Sequence, residues 1–304
     1  MTTKQTLKVG GKTVEVSNLD KVFYPKTGFT KGDVLAYYLR IAPVLLPHLK
    51  NRPVTLKRYP DGVEAFFFYE KQCPSHAPSW VKTVTVPKTD GCIDYLLLND
   101  LPSLLWVTNL ANLELHPFLH RAASLERPTQ LVFDLDPGPP ANLLDCARVA
   151  LRIRELFENL GLRSFAKTSG SKGLQIAVPL NTATDYEKTG AFARAVALLL
   201  AGRFPKNIVS EMKKEKRKGK VFIDWSQNSS KKTTVSVYSL RAREHPTVST
   251  PVTWEELADA IGRKTSKPLV FEAAALLQRV EENGDLFEPL LTLKQKLPAL
   301  EAVE

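Results

Sequence analysis

Leu131-Val132-Phe133-Asp134-Leu135-Asp136-Pro137-Gly138 is a short apolar run that ends in two acids and a Pro-Gly pair. Its branched and aromatic residues predict a buried strand, and Pro-Gly predicts the turn that stops it. Side chains alternate along a strand, so Leu131, Phe133 and Leu135 share one face. Asp134 and Asp136 share the other, roughly 7 Å apart by strand rise. Two neighbouring carboxylates repel, and burying them together is costly unless a cation sits between them. Oxygen donors of this kind suit Mg2+ or Mn2+. The plainer alternative is a solvated strand end with two unrelated aspartates.

A third acid sharpens the choice. Lys220-Val221-Phe222-Ile223-Asp224-Trp225 is again a short apolar pattern ending in an acid. Were this strand a neighbour of the first, Asp224 would join Asp134 and Asp136. Three acids at strand ends are what two-metal phosphoryl or nucleotidyl transfer requires. The spacing permits that adjacency without proving it.

Composition bounds the rest. The 304 residues are 43% hydrophobic, enough for a sizeable core in one elaborated domain or two intimately packed ones. With 42 Lys+Arg against 32 Asp+Glu the net charge is +10, which points to a polyanionic partner such as nucleic acid. No apolar run reaches membrane-spanning length and no signal-peptide pattern opens the chain. Cys73, Cys92 and Cys146 are too few and too scattered for a disulfide framework or a zinc site.

Outward from the acidic strands, residues 5–16 alternate about Gly10-Gly11 and predict a hairpin with Leu7 opposite Val14. Thr30, with Asp33 three residues on, opens a helix. Lys21, Lys26 and Lys31 surround its start, either as a phosphate seat or as solvated lysines. Phe66-Phe67-Phe68-Tyr69 beside Lys57, Arg58 and Lys71 fits base stacking with backbone neutralisation, or else a strand buried on both faces. Residues 103–116 read as a mostly buried helix, with His116 at its end before Pro117. Asn142 caps a helix that Gly161 stops. Thr168-Ser169-Gly170-Ser171-Lys172-Gly173 lies between two strands as an anion nest of free backbone N–H groups, or an ordinary turn. It lacks the spacing and the following helix of a P-loop. Thr184 with Glu187 and Thr253 with Glu256 read as further capping boxes. The Lys/Arg run in 212–220 is a solvated loop or a track for phosphates. Residues 235–240 predict a strand leading to Arg241 and Arg243, a pair suited to triphosphate or carboxylate recognition. Beyond Gly262 the chain reads as mainly helical.

In this order, Asp-x-Asp at a strand end, Ser-Gly-Ser-Lys-Gly-Leu, Val-Phe-Ile-Asp-Trp-Ser-Gln-Asn (221–228) and Tyr-Ser-Leu-Arg-Ala-Arg (238–243) resemble the archaeo-eukaryotic primase superfamily. They are most similar to its branch in the polymerase domain of bacterial DNA ligase D. Asn-Leu-Asp-Lys-Val-Phe-Tyr-Pro (18–25) and Leu-Glu-Leu-His (113–116) add to the resemblance, which spans about residues 10–260. It implies an α+β primase-polymerase fold, with mixed and antiparallel sheets forming a catalytic cleft flanked by helices. The expected organisation is one catalytic domain over 1–304, either stand-alone or excised. Its expected parts are an N-terminal part to about 125, a core over 126–260 and C-terminal helices over 253–304.

The resemblance further implies NTP-preferring nucleotidyl transfer to a 3′-hydroxyl, filling gaps and extending ends in repair such as non-homologous end joining. Asp134, Asp136 and Asp224 would hold two divalent ions, Mn2+ or Mg2+. Ser171, Lys172 and Arg241 would hold the triphosphate. Gln175 stands where the family pattern commonly has His, and its amide can hydrogen-bond a phosphate but cannot carry a charge. His116, with Ser171, would favour ribonucleotides through the 2′-hydroxyl. Asn18, Lys21 and Lys31 would grip a downstream 5′-phosphate, with no clear match for Lys26. Phe68 and Tyr69 would lie near the template base, and Lys57 and Lys71 on the nucleic-acid side. The implied partners are gapped or broken DNA, NTPs or dNTPs, a DNA ligase and a Ku-like protein, with no membrane. The implied location is the bacterial cytosol, at the nucleoid.

Two other classes stand beside this one. A 5′-phosphate end-binding module would keep the basic pocket and dispense with catalysis. An aspartyl phosphohydrolase would use Asp134 as nucleophile, but such enzymes carry Asp-x-Asp-x-Thr or Val, and position 138 is Gly.

Overall fold

The computed structural model describes residues 4–299, which fold as α+β with largely antiparallel sheets. The chain divides into two compact units. Met1–Ala123, Thr233–Ser249 and Glu272–Asp285 form the first; Ser124–Lys232, Thr250–Phe271 and Leu286–Glu304 form the second.

In the first unit, Lys4–Val9 and Lys12–Ser17 pair as the expected hairpin with Leu7 opposite Val14. Gly10 and Gly11 both have positive φ, which a two-residue turn of this hand requires. The helix Lys31–Leu49 starts at Thr30, whose side chain accepts from Asp33 N while Asp33 accepts from Thr30 N. Its buried stripe includes Val34, Leu35, Tyr38, Ile41 and Leu45. Strand Pro53–Arg58 pairs with Phe68–Glu70, Gly91–Leu97 and Asn112–Pro117 in a five-stranded sheet.

Two expectations fail here. Residues 103–116 are not one helix: Asp100 caps a helix over Leu101–Asn109, and Asn112–Pro117 is a strand. The run is apolar on every side, so its period is uninformative, and the break comes at Ala111 in the left-handed region without a glycine to signal it. Residues 235–240 form no strand, and a turn falls at Val237 and Tyr238. Tyr238 also has positive φ, which interrupts the alternation and leaves one isolated bridge between Leu240 and Val248. The aromatic run is not buried on both faces, since Phe66 is 75% and Tyr69 55% exposed.

The second unit is built on a six-stranded sheet. Its order is Ile208–Val209, Val221–Asp224, Gln130–Pro137, Leu174–Pro179, Phe165–Thr168, Pro251–Val252. All pairs are antiparallel except the first, which is parallel. Leu131, Phe133 and Leu135 join Ile176, Val178 and Ile223 in the core against the helices Leu143–Asn159 and Tyr186–Arg203. Asn142 caps the first of these, as expected. The second is capped by Asp185 rather than Thr184, a shift of one residue between two competent caps. Thr253 and Glu256 form their capping box on Trp254–Gly262.

Candidate active site

Strand register assembles the acids. Asp134 lies opposite Asp224 on one side and Gln175 on the other, and Gln175 lies opposite Lys167. Directly paired residues point to the same face, so Lys167, Gln175, Asp134 and Asp224 form one row across four strands. Asp136, two residues on from Asp134, faces the same way, opposite Phe222. The adjacency that the sequence only permitted is therefore present.

Charge crowding follows from this row. Burial, then the charge of Asp136, push the Asp134 carboxyl well above the usual carboxylate range. A hydrogen bond from Gln175 and the charge of Lys167 pull it back, while Asp224 raises it again. Negative charge thus exceeds its local compensation, and a divalent cation would relieve it. The donor set is all oxygen, which fits Mg2+ or Mn2+. A closed cage is not preformed: among the described residues no three His, Cys, Asp or Glu side chains converge closely enough to hold a metal unaided. Asp224 shows why. It caps the short turn Trp225–Gln227, its Oδ1 accepting from Ser226 N at 3.0 Å and Ser226 Oγ at 2.5 Å. Its Oδ2 accepts from Gln227 Nε2 at 2.9 Å. Lys232 Nζ in turn donates to Ser226 Oγ.

Ser171 and Lys172 lie exposed on the turn between Phe165–Thr168 and Leu174–Pro179. The nest of free N–H groups expected there is partly consumed. Ser169 Oγ accepts from both Ser171 N and Gly173 N at 3.2 Å, and Ser169 N donates to Gly173 O. Gly173 itself admits no side chain, because an added Cβ would collide with the Leu135 carbonyl oxygen. Gly138, at the end of the acidic strand, is equally tight against the Arg217 carbonyl oxygen.

In the first unit a second polar centre surrounds Glu114, which is 2% exposed. His116 Nε2 and Glu114 Oε2 share a hydrogen bond at 2.9 Å, and Arg241 Nε lies 3.3 Å from the same oxygen. Oε1 accepts from Ala242 N at 3.1 Å and lies 3.7 Å from Lys57 Nζ. Burial works to raise the Glu114 carboxyl, but His116, Arg241 and Lys57 overcome it and hold it well below the ordinary range. His116 is lowered, chiefly by burial, against the opposing pull of Glu114. Lys57 Nζ also sits 4.3 Å over the Phe67 ring and 5.5 Å over Tyr69. Phe68 stacks under the Arg58 guanidinium, whose Nη1 bonds both carboxylate oxygens of Glu70. Lys71 is exposed.

The remaining expected residues gather where the 17–21 loop meets the long helix. Asn18 has positive φ, and its carbonyl accepts from Lys21 N. Lys31 N donates to Lys21 O at 2.8 Å, and Lys31 Nζ to Ser17 O at 2.6 Å. Burial, then the charge of Lys21, lower Lys31 to about 8. Lys21 Nζ is paired with Asp61 at 2.6 Å, while Lys26 is paired with Glu244.

Sequence reasoning did not single out Glu114, Lys167 or Gln227. Glu114 and His116 carry an i, i+2 strand signature that the helical reading of 103–116 hid. Lys167 and Gln227 had no local signal, since only register and a capping turn bring them to the acids.

The sequence matches the family described as LigD, primase-polymerase domain, over residues 30–287. It is 43% identical over 279 residues to the multifunctional non-homologous end joining protein LigD of Mycolicibacterium smegmatis, covering 91% of this chain and 36% of that protein. It is 32% identical over 273 residues to the bifunctional non-homologous end joining protein LigD of Bacillus subtilis, covering 89% of this chain and 43% of that one. The chain therefore spans well under half of the curated relatives it matches. Among solved structures, the polymerase domain from Mycobacterium tuberculosis ligase D in complex with DNA superposes with a TM-score of 0.85 at 39% identity. That match covers 92% of this chain and 98% of the other.

Proposed function

Because the chain belongs to the LigD primase-polymerase family, we propose that it is a template-directed nucleotidyltransferase that adds NTPs, in preference to dNTPs, to a 3′-hydroxyl at gaps and ends in DNA. The observation that carries this reading is the row of Gln175, Asp134 and Asp224 with Asp136 on one sheet face. Crowded carboxylates with too little positive charge around them suit a reaction run on divalent cations.

Asp134 and Asp136 are the residues that would hold both ions, and Asp224 would hold one. Such ions, when bound, lower the pKa of a 3′-hydroxyl and stabilise a pyrophosphate leaving group. Gln175 donates to Asp134 and so favours its ionised form against burial and the charge of Asp136. Ser226 and Gln227 orient Asp224 in the same way. In the second unit, Ser171 and Lys172 serve the nucleotide's phosphates. In the first, Arg241 supplies positive charge for the nucleotide and His116 meets its ribose. Asn18, Lys21 and Lys31 take a 5′-phosphate at a helix N-terminus. Phe68 and Tyr69 stack on the template, with Lys57 and Lys71 toward its backbone.

The role for which the relatives are named, non-homologous end joining, supports the same process for this chain, with a DNA ligase and a Ku-like protein as partners in the bacterial cytosol. Among the described residues no helix is long and apolar enough to cross a membrane. The existing structure of a relative with DNA supports DNA as the substrate. One observation favours end binding with little catalysis as a second reading: both Asp224 oxygens are already engaged by the 225–227 turn.

Primer extension on a short gap bearing a 5′-phosphate separates the two. NTPs and dNTPs are compared in Mg2+ and in Mn2+. NTP-favouring extension is the expected result. Tight 5′-phosphate-dependent binding with no incorporation in either metal would instead establish the end-binding module.

A further inference from the structure

We propose that Glu114 is a positioning residue for nucleotide selection: it fixes the tautomer of His116 and anchors the Arg241 side chain. The proposal rests on the polymerase reading for what His116 and Arg241 contact, but not for the geometry that links them.

Glu114 sits on strand Asn112–Pro117, directly opposite Lys57, with His116 two residues on and facing the same way. A carboxylate is an unusual occupant of a site this buried unless it is paired and hydrogen-bonded. Here each oxygen has two partners: His116 and Arg241 for Oε2, Ala242 N and Lys57 for Oε1. Partners from a strand, a neighbouring strand and the 241–242 loop are thus tied to one group.

The proton on His116 follows from this arrangement. With three cationic or donor side chains around it, Glu114 is ionised and accepts only. His116 Nε2 must therefore be the donor in the 2.9 Å bond. In the neutral imidazole this leaves Nδ1 as the acceptor. A ribose 2′-hydroxyl can donate to such an acceptor; a deoxyribose has nothing to donate. Discrimination thus depends on a carboxylate that does not itself meet the sugar. With an amide in its place, the group can donate to Nε2, and the ring can turn its proton to Nδ1.

The test combines Glu114→Gln with His116→Ala. In Glu114→Gln the ratio of kcat/KM for NTP over dNTP falls about tenfold, the worth of one hydrogen bond to a fixed acceptor. KM rises for both nucleotides as Arg241 loses its anchor. In a His116→Ala background the same substitution leaves the NTP:dNTP ratio where His116→Ala alone puts it, because the two act through one ring. Glu114→Asp, which keeps the charge, restores part of the ratio and serves as the variant should the amide not fold. Nitrogen-15 NMR of labelled histidine shows His116 protonated at Nε2 in the wild type and shifted toward Nδ1 in Glu114→Gln.

An unchanged ratio in Glu114→Gln, or an equal further loss in the His116→Ala background, would overturn the proposal and leave Glu114 as a fold residue only. A wild type that extends no primer would remove the polymerase reading. The NMR tautomer then decides the positioning role by itself, and a ring protonated at Nδ1 in the wild type would sink it.

Discussion

Substituting alanine for Gly173 tests whether backbone packing sets the geometry of the acids. The added Cβ lands on the Leu135 carbonyl oxygen, far inside the 3.0 Å that real Cβ contacts essentially never breach, and 3.2 Å from the carbonyl carbon. Backbone cannot swing aside as a flexible side chain can, so the turn and the acidic strand must part by about 1 Å, an overpacking shift of the kind that costs ~1–3 kcal/mol. Leu135 is the residue between Asp134 and Asp136, so the displacement falls on the segment that aims both carboxylates. A misplacement of about 1 Å near reacting groups costs on the order of 10²-fold in rate. Urea unfolding should show a lowered midpoint with unchanged slope, and single-turnover gap filling should slow by about two orders of magnitude. An alanine variant with wild-type midpoint and wild-type rate would refute the reasoning, since it would mean that the close approach of these two backbones does not constrain the acids.

Other outcomes follow from the same geometry. Asp224→Ala should cut primer extension by about 10³-fold, the scale of losing a main electrostatic stabiliser, yet retain binding to gapped DNA in a gel-shift assay; retained extension would take Asp224 out of the reaction. Gln175→Ala removes the hydrogen bond to Asp134 and should weaken Mn2+ binding by about tenfold or more, read by electron paramagnetic resonance. For Lys31, burial and Lys21 place the pKa at about 8, so its ammonium is intact below that pH and lost above it. A 5′-phosphate is already a dianion there. Affinity for a phosphorylated gap should therefore fall as pH rises through 8, by fluorescence anisotropy, while an unphosphorylated gap shows no such fall.

Much of the site was legible because strands write their faces into sequence. Alternation alone separated Leu131, Phe133 and Leu135 from Asp134 and Asp136, and the structure keeps that division. Capping chemistry located Thr30, Asn142 and Thr253 at helix starts, because each has a side-chain acceptor followed by an acid at the third helical position. What escaped was decided by contacts distant in sequence. The 103–116 run carries no amphipathic period, so nothing local marks the turn at Ala111, and with it went the pairing of Glu114 with His116. The 168–173 turn looked like open amides, but Ser169 hydroxyl closes on two of them. A hydroxyl's choice between solvent and its own loop cannot be read from composition.

The row across four strands bears on how the protein is born. Asp224 emerges from the ribosome 90 residues after Asp134, on the order of 5–20 s later at ordinary rates of synthesis. During that interval the strand Gln130–Pro137 can pair with Leu174–Pro179 on one side, but its other edge, destined for Val221–Asp224, has no partner. An open edge flanked by Leu131, Val132 and Phe133 is a template for joining other chains. Asp134 and Asp136, the two carboxylates proposed to hold the cations, stand on that strand as charged gatekeepers against such pairing. Acids placed for a metal site thus also guard the unfinished sheet.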